Sequence, residues 1–281
     1  MGVALATHWK TVVVSADSRQ FYKEMCIGTA KPLEEEQKGI PHYFIDSHSI
    51  KNPLTAADYE KEASALLNRL FEEHDIVILV GGSGLFIDAL CYGLDDVPMN
   101  EEIKQQLINE FQEKGLVPLC EELQEKDPEY YKIADVKNPV RVIRALEVIR
   151  TSGRAFSSFQ QSERKNRNYS LYRFVIDLPR ELLYERINKR VDSMMQNGLL
   201  QEASSLYEFK DLQVLNTVGY TELFDYVAGE TGLEVATELI KRNTRRYAKR
   251  QLTWFRRDPD NVWISTVQTE EQLNQIINTV N

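Results

Sequence analysis

TVVVSADSRQ, residues 11–20, decides the fold. Its first half is a β-branched run, and side chains that are stiff at χ1 favour a strand. The run is almost continuously apolar, so it reads as a strand covered on both faces. Its second half turns polar at once, and open parallel sheets bind ligands beyond the carboxyl ends of their strands. Asp17 stands at that exit with Ser18, Arg19 and Gln20 beside it. A carboxylate there can serve as a general base. The DSRQ spacing by itself favours the other reading, an Asp that caps a following helix.

Outward from this stretch the pattern repeats. Residues 76–80 (IVILV) form a second apolar run, followed by Gly81, Gly82, Ser83 and Gly84. Such a turn lets a ligand approach backbone amides and aims a helix N-terminus at an anion, although the dinucleotide fingerprint is absent. Residues 172–178 (YRFVIDL) read as a third strand, with weaker candidates at 42–46 (HYFID) and 262–265 (VWIS). Residues 27–32 (IGTAKP) bring Thr29 and Lys31 near the first exit. Residues 55–74 carry apolar positions at helical spacing, opened by Thr55 with Asp58 three residues on. Strands alternating with helices predict a parallel, doubly wound sheet. The alternation breaks after residue 94, where helices are predicted at 101–114, 116–126, 128–133 and 139–151, followed by a polar loop over 152–168. The expectation is an all-helical insertion, residues 95–170, between two strands of one sheet. The α/β core is then discontinuous, residues 1–94 and 171–281. Helices are expected again at 181–196, 199–209, 217–228 and through a basic segment near the end.

That segment, residues 241–257 (KRNTRRYAKRQLTWFRR), holds eight Lys/Arg and no Asp/Glu in a 281-residue chain of net charge -9. One basic element on an acidic body suggests a localised site for a polyanion. Tyr247, Trp254 and Phe255 lie among the cations, and aromatic faces beside guanidinium groups suit unpaired bases. A solvated helix face with its aromatics turned inward is the alternative. No apolar run approaches a membrane span, and the start is not a signal peptide, so a cytoplasmic protein is expected. Cys26, Cys91 and Cys120, like His8, His42, His48 and His74, lack metal-ligand spacing. The phosphate loop GxxxxGK[ST] that often opens such a sheet is missing. The chain begins with what reads as a helix feeding into residues 11–15, as though the sequence starts late.

Six collinear segments carry a resemblance over nearly the whole chain: SADSRQFYKEMCIGTAKP, LVGGSGLFIDAL, NPVRVIRALEVI, RINKRVDSMMQNGLLQEA, LNTVGYTELFDY and TRRYAKRQLTWFR. Together they resemble the tRNA dimethylallyltransferases (tRNA isopentenyltransferases). The resemblance implies a P-loop-NTPase-like parallel sheet flanked by helices, with an all-helical insertion domain. It implies transfer of a dimethylallyl group from dimethylallyl diphosphate to the 6-amino group of the adenine 3′-adjacent to the anticodon, with Mg²⁺ as cofactor. By the same resemblance Asp17 is the catalytic base and Arg190 binds the diphosphate. Asp17, Ser18, Arg19 and Gln20 contact the target nucleotide, as does Ser83, which stands where the family usually has Thr. Val140, Arg141, Val142, Ile143 and Arg144 match a tRNA-contacting run that usually begins with Gln, an amide Val140 cannot replace. Asn216, Thr217, Val218, Gly219, Tyr220 and Thr221 match another. Lys249, Arg250, Gln251, Leu252, Thr253, Trp254, Phe255 and Arg256 match a third. The implied partner is the tRNA anticodon stem-loop, bound by a monomer that has no contact with membranes and flips the base into its pocket. The family's phosphate loop lies just upstream of residue 1. Without it the chain as written is expected to transfer poorly and to expose the edge or a gap of the sheet beside residues 11–15. An inactive tRNA-binding paralogue and an adenine-nucleotide isopentenyltransferase are the alternatives.

Overall fold

A computed structural model describes residues 1–159 and 164–280. The chain divides into two compact units, Met1–Cys91 with Asn168–Asn281, and Tyr92–Arg167. The first unit opens with α1 (Gly2–Trp9), β1 (Val13–Ser15), α2 (Glu34–Gln37), β2 (His42–Tyr43), α3 (Ala56–Leu70), β3 (Ile78–Val80) and α4 (Gly84–Tyr92). Four helices follow in the second unit: α5 (Glu101–Lys114), α6 (Val117–Lys126), α7 (Pro128–Ile133) and α8 (Pro139–Ser152). The chain then returns to the first unit with β4 (Phe174–Ile176), α9 (Arg180–Gln196), α10 (Leu199–Ser205), α11 (Tyr220–Val227), α12 (Leu233–Phe255), β5 (Val262–Ile264) and α13 (Thr269–Val280).

Among the described residues all strand pairings are parallel. β1 lies between β2 and β3, in register Val13↔His42 and Val13↔Ile78, while β4 pairs with β5 through Val175↔Trp263. The strands on either side of the helical unit therefore belong to two hydrogen-bonded sheets, of three and two strands, and not to the single sheet expected. The free edge lies on the strand beside β1. β1 is paired on both sides and wholly buried, so the free edge that faces away from β2 belongs to β3, whose Val80 is exposed.

Residues 55–70 fold as their pattern dictates. The Asp58 amide donates to Thr55 Oγ1 and the Thr55 amide to Asp58 Oδ2, both at 3.2 Å, a reciprocal cap that satisfies two orphan donors of α3. Tyr59, Ala63, Leu66, Leu67 and Leu70 then form one buried stripe against β1 and its neighbours. The Tyr59 hydroxyl donates to Ser15 O at 2.9 Å, which anchors the helix to the very end of β1. Its ring stacks on Phe21, centroids 5.2 Å apart, directly beyond the polar exit.

The helical unit has its own core of Leu107, Leu119, Leu123, Val142, Ala145 and Leu146. Arg150 on α8 binds Glu110 on α5 at 2.7 Å and Glu122 on α6 at 2.6 Å, clamping three helices across their rims. Part of the predicted polar loop is a short 3₁₀ turn, Phe156–Phe159, and residues 160–163 of that loop lie outside the described residues. Among the described residues no helix is long and apolar enough to cross a membrane.

Candidate active site

The strand exits of β1 and β3 are brought together by backbone bonds. The Ala16 amide donates to Val80 O at 2.7 Å, and the Ser83 amide reaches Ala16 O at 3.4 Å. Only glycine fits at residue 81, because a Cβ there would lie 2.5 Å from the Ala16 carbonyl, and backbone cannot yield. The glycine turn thus serves close approach of one strand exit to the other. Ser83 Oγ accepts from the Ser18 amide and donates to Ser18 Oγ, both at 2.9 Å, so Ser83 and residues 17–18 share one pocket rim.

Asp17 does not cap a helix. Its Oδ1 accepts from the Arg19 amide at 3.0 Å and its carbonyl from the Gln20 amide at 3.1 Å, which closes a turn with no helix after it. The carboxyl is half-buried, and burial pushes its pKa above the ordinary Asp range. The Arg19 amide and the charges of Arg190 and Arg19 oppose that shift without cancelling it. Arg190, on α9, is exposed as a residue, yet loss of water around its guanidinium lowers its pKa while the Asp17 charge raises it. It stays charged in either case. Gln20 has a different part. Its Nε2 donates to Thr29 O at 3.1 Å and Ala30 O at 3.2 Å, which holds the 29–30 segment against the exit. Lys31 turns away, to Asp46 and to Tyr22 O.

α12 closes this rim with one face. Gln251 Nε2 donates to Gly82 O at 2.9 Å. The Trp254 indole lies so near Gly84 that a Cβ there would sit 2.4 Å from Cδ1, and its Nε1 donates to Asp88 Oδ2 at 2.7 Å. Asp88 in turn accepts from Arg173, which also binds Asp258. Of the predicted 249–256 run, Gln251 and Trp254 therefore hold the glycine turn, and Leu252 and Phe255 are half-buried. Lys249, Arg250, Thr253 and Arg256 are exposed. Both α12 and α9 carry exposed cations. Arg242, Arg246, Lys249 and Arg250 on α12 and Arg186 and Arg190 on α9 are exposed. Among the described residues none of the six stands in an ion pair.

Two other predicted runs are only partly at the surface. Asn216 and Thr221 are exposed, whereas Tyr220 is fully buried, with its hydroxyl donating to Glu202 Oε1 at 2.7 Å. The Gly219 amide donates to Glu222 and is spent on the start of α11. The Tyr220 side chain is thus a packing element that offers nothing to an RNA. In the helical unit Val140 and Arg141 are exposed, Val142 is fully buried, and Ile143 packs on that core. Arg144 pairs with buried Glu147 at 2.9 Å and donates to Val97 O and Pro98 O. Helical periodicity sends Val142 inward, which removes its side chain from any surface contact.

One structural residue of the site region has no sequence signal. Glu202 of α10 accepts the amides of Cys26, Ile27 and Gly28 at 2.8–2.9 Å as well as the Tyr220 hydroxyl. Its carboxylate fills a cradle of backbone donors that lie far away in the chain. Glu202→Ala would leave these donors half-buried and unpaired. We expect a loss of roughly 2–4 kcal/mol, read as a drop of about 5–10 °C in Tm. Glu202→Gln, which keeps one acceptor, should fall between parent and Ala. An unchanged Tm in Glu202→Ala would mean that water replaces the carboxylate at no cost.

The sequence profile of the IPP transferase family matches residues 20–258. The tRNA dimethylallyltransferase 1 of Phocaeicola vulgatus is 46% identical over 282 residues, covering 100% of this chain and 94% of its own. The tRNA dimethylallyltransferase of Christiangramia forsetii is 48% identical over 264 residues, covering 94% of this chain and 87% of its own. The crystal structure of the full-length tRNA isopentenylpyrophosphate transferase from Bacillus halodurans superposes with a TM-score of 0.71 at 35% identity, covering 99% of this chain and 89% of that one. A eukaryotic dimethylallyltransferase acting on tRNA shares the fold, with a TM-score of 0.78 at 22% identity.

Proposed function

The chain belongs to the IPP transferase family, and on that premise we propose that it transfers a dimethylallyl group from dimethylallyl diphosphate to the 6-amino group of the adenine 3′-adjacent to the anticodon of tRNA. The observation that carries this reading is Asp17: one half-buried carboxylate at the joined exits of two parallel strands, held by its neighbours' amides and raised in pKa by burial. An adenine amine is a poor nucleophile, because its lone pair is delocalised into the ring. A carboxylate that draws its proton as the new C–N bond forms gives the amine usable electron density. A raised pKa makes Asp17 a stronger base than a free carboxylate.

The diphosphate leaves with negative charge, which Arg190, within electrostatic range of Asp17, would meet. Mg²⁺ belongs to this reading as the diphosphate's companion. Among the described residues no three His, Cys, Asp or Glu gather into a cage. Mg²⁺ characteristically keeps several waters and binds through one or two carboxylates plus substrate phosphates. The cation would be carried by the diphosphate oxygens and water and would supply charge neutralisation to the departing diphosphate, leaving Asp17 free to take the proton. The exposed arginines of α9 and α12 track the RNA backbone, and extrusion of the target base brings its amine to Asp17.

The test incubates the polypeptide, in excess, with labelled dimethylallyl diphosphate, Mg²⁺ and either an unmodified tRNA transcript or AMP. Label should appear in tRNA at that single adenine and not in AMP. Label in AMP alone would overturn the macromolecular acceptor.

A further inference from the structure

Tyr247 lies in the basic segment but outside the 249–256 run, and it occupies the same face of α12 as the two residues that grip the glycine turn. Tyr247, Gln251 and Trp254 stand at i, i+4 and i+7, the spacing that aligns side chains on one helix face. Gln251 binds Gly82 and Trp254 covers Gly84. One turn earlier, Tyr247 comes close to Ser83 and within electrostatic range of Asp17; burial first, and then that negative charge, raises the phenol's pKa. The hydroxyl end is thus drawn into the rim while the residue as a whole remains 42% exposed. Arg250 sits over the ring at 5.5 Å from its centroid. A structural tyrosine of this protein looks different: Tyr22, Tyr59 and Tyr220 are each at most 2% exposed.

An exposed aromatic face beside the carboxylate that meets the base, backed by a guanidinium, is the arrangement on which unpaired bases stack. We infer that Tyr247 is the stacking wall of the acceptor pocket: its ring lies against the extruded purine, and the hold of Gln251 and Trp254 on the glycine turn keeps that wall in register with Asp17. This rests on the tRNA reading above and extends it to the residue that holds the base itself. Bonding to the base edge is then left to Ser18, Ser83 and Asp17, and stacking to Tyr247.

The test uses the full chain and two anticodon stem-loops, one with adenine at the acceptor position and one with an abasic site there. The parent should bind the adenine form more tightly. Tyr247→Leu should lose about 5- to 150-fold in affinity for the adenine form, the range of one base–aromatic stack. It should lose little for the abasic form, so the preference disappears. Tyr247→Phe retains the ring and should retain the preference. A merely structural role would weaken both stem-loops alike. If Tyr247→Leu keeps the adenine preference, or if Tyr247→Phe loses it as fully as Leu does, the stacking wall is overturned while the tRNA reading survives. If the parent binds neither stem-loop, the tRNA reading itself fails and takes this inference with it.

Discussion

Asp17→Asn should lower single-turnover transfer to tRNA by about 10²–10⁴-fold and leave tRNA affinity nearly unchanged. Asn is isosteric and keeps an oxygen to accept the Arg19 amide, so the turn at the exit of β1 should persist. What disappears is the carboxylate on that rim that takes a proton from the adenine amine. The same substitution should stabilise the fold. Burial raises the Asp17 pKa, so the folded protein binds that proton more tightly than the unfolded chain does. Above the raised pKa the ionised carboxyl therefore costs stability, and the cost fades as pH falls through it. The Tm of the variant should exceed that of the parent at slightly alkaline pH, and the gap should narrow in mild acid. A variant that is inactive and also less stable than the parent at every pH would point to collapse of the turn rather than loss of a base. Stability gained as activity is lost is the usual signature of a functional group kept in an unfavourable place.

Raising monovalent salt from about 50 to about 200 mM should weaken tRNA binding by about 10³-fold. The estimate follows from the surface of α9 and α12, where six exposed cations stand without ion-pair partners among the described residues. Each phosphate they neutralise releases counterions, and the logarithm of affinity falls linearly with the logarithm of salt. Replacing Arg242 and Arg246 together by Ala should therefore reduce the slope by about 0.7–0.9 for each phosphate no longer neutralised, besides lowering affinity. Measured by filter binding or anisotropy across a salt series, a flat response would remove the basic helix from the interface. Arg256 is a weaker contributor, because Asp177 lies 3.7 Å away and already offsets part of its charge.

The elements that are legible in the sequence share a strong local signal. The β-branched run at 11–15 contains β1, the Thr55–Asp58 pair does cap α3, and α5 and α7 begin and end where their periodicity places them. Pairing partners are not legible, since nothing local in residues 172–178 or 262–265 says that they pair with each other rather than with β3. α13 is faint in the sequence because its apolar residues, Leu273, Ile276, Ile277 and Val280, are diluted by Gln and Asn. Their meaning comes from Leu5, at the other end of the chain, and from Ile264 in a short strand. At the site, Asp17 and Ser83 stand out through their places after apolar runs. Glu202 does not, because its partners are amides that carry no residue identity. Gln251 and Trp254 look from sequence like RNA-facing side chains, yet they are spent on holding the glycine turn. Periodicity gives the face of a helix; what that face meets is tertiary.

The most direct test of Asp17 as the base is the pH dependence of single-turnover transfer in parent and Asp17→Asn, at saturating tRNA. The parent rate should fall toward acid along a limb whose midpoint lies above 3.8, the ordinary Asp value, and the residual rate of the variant should lack that limb. The same acid limb, at the same midpoint, in both proteins would contradict it.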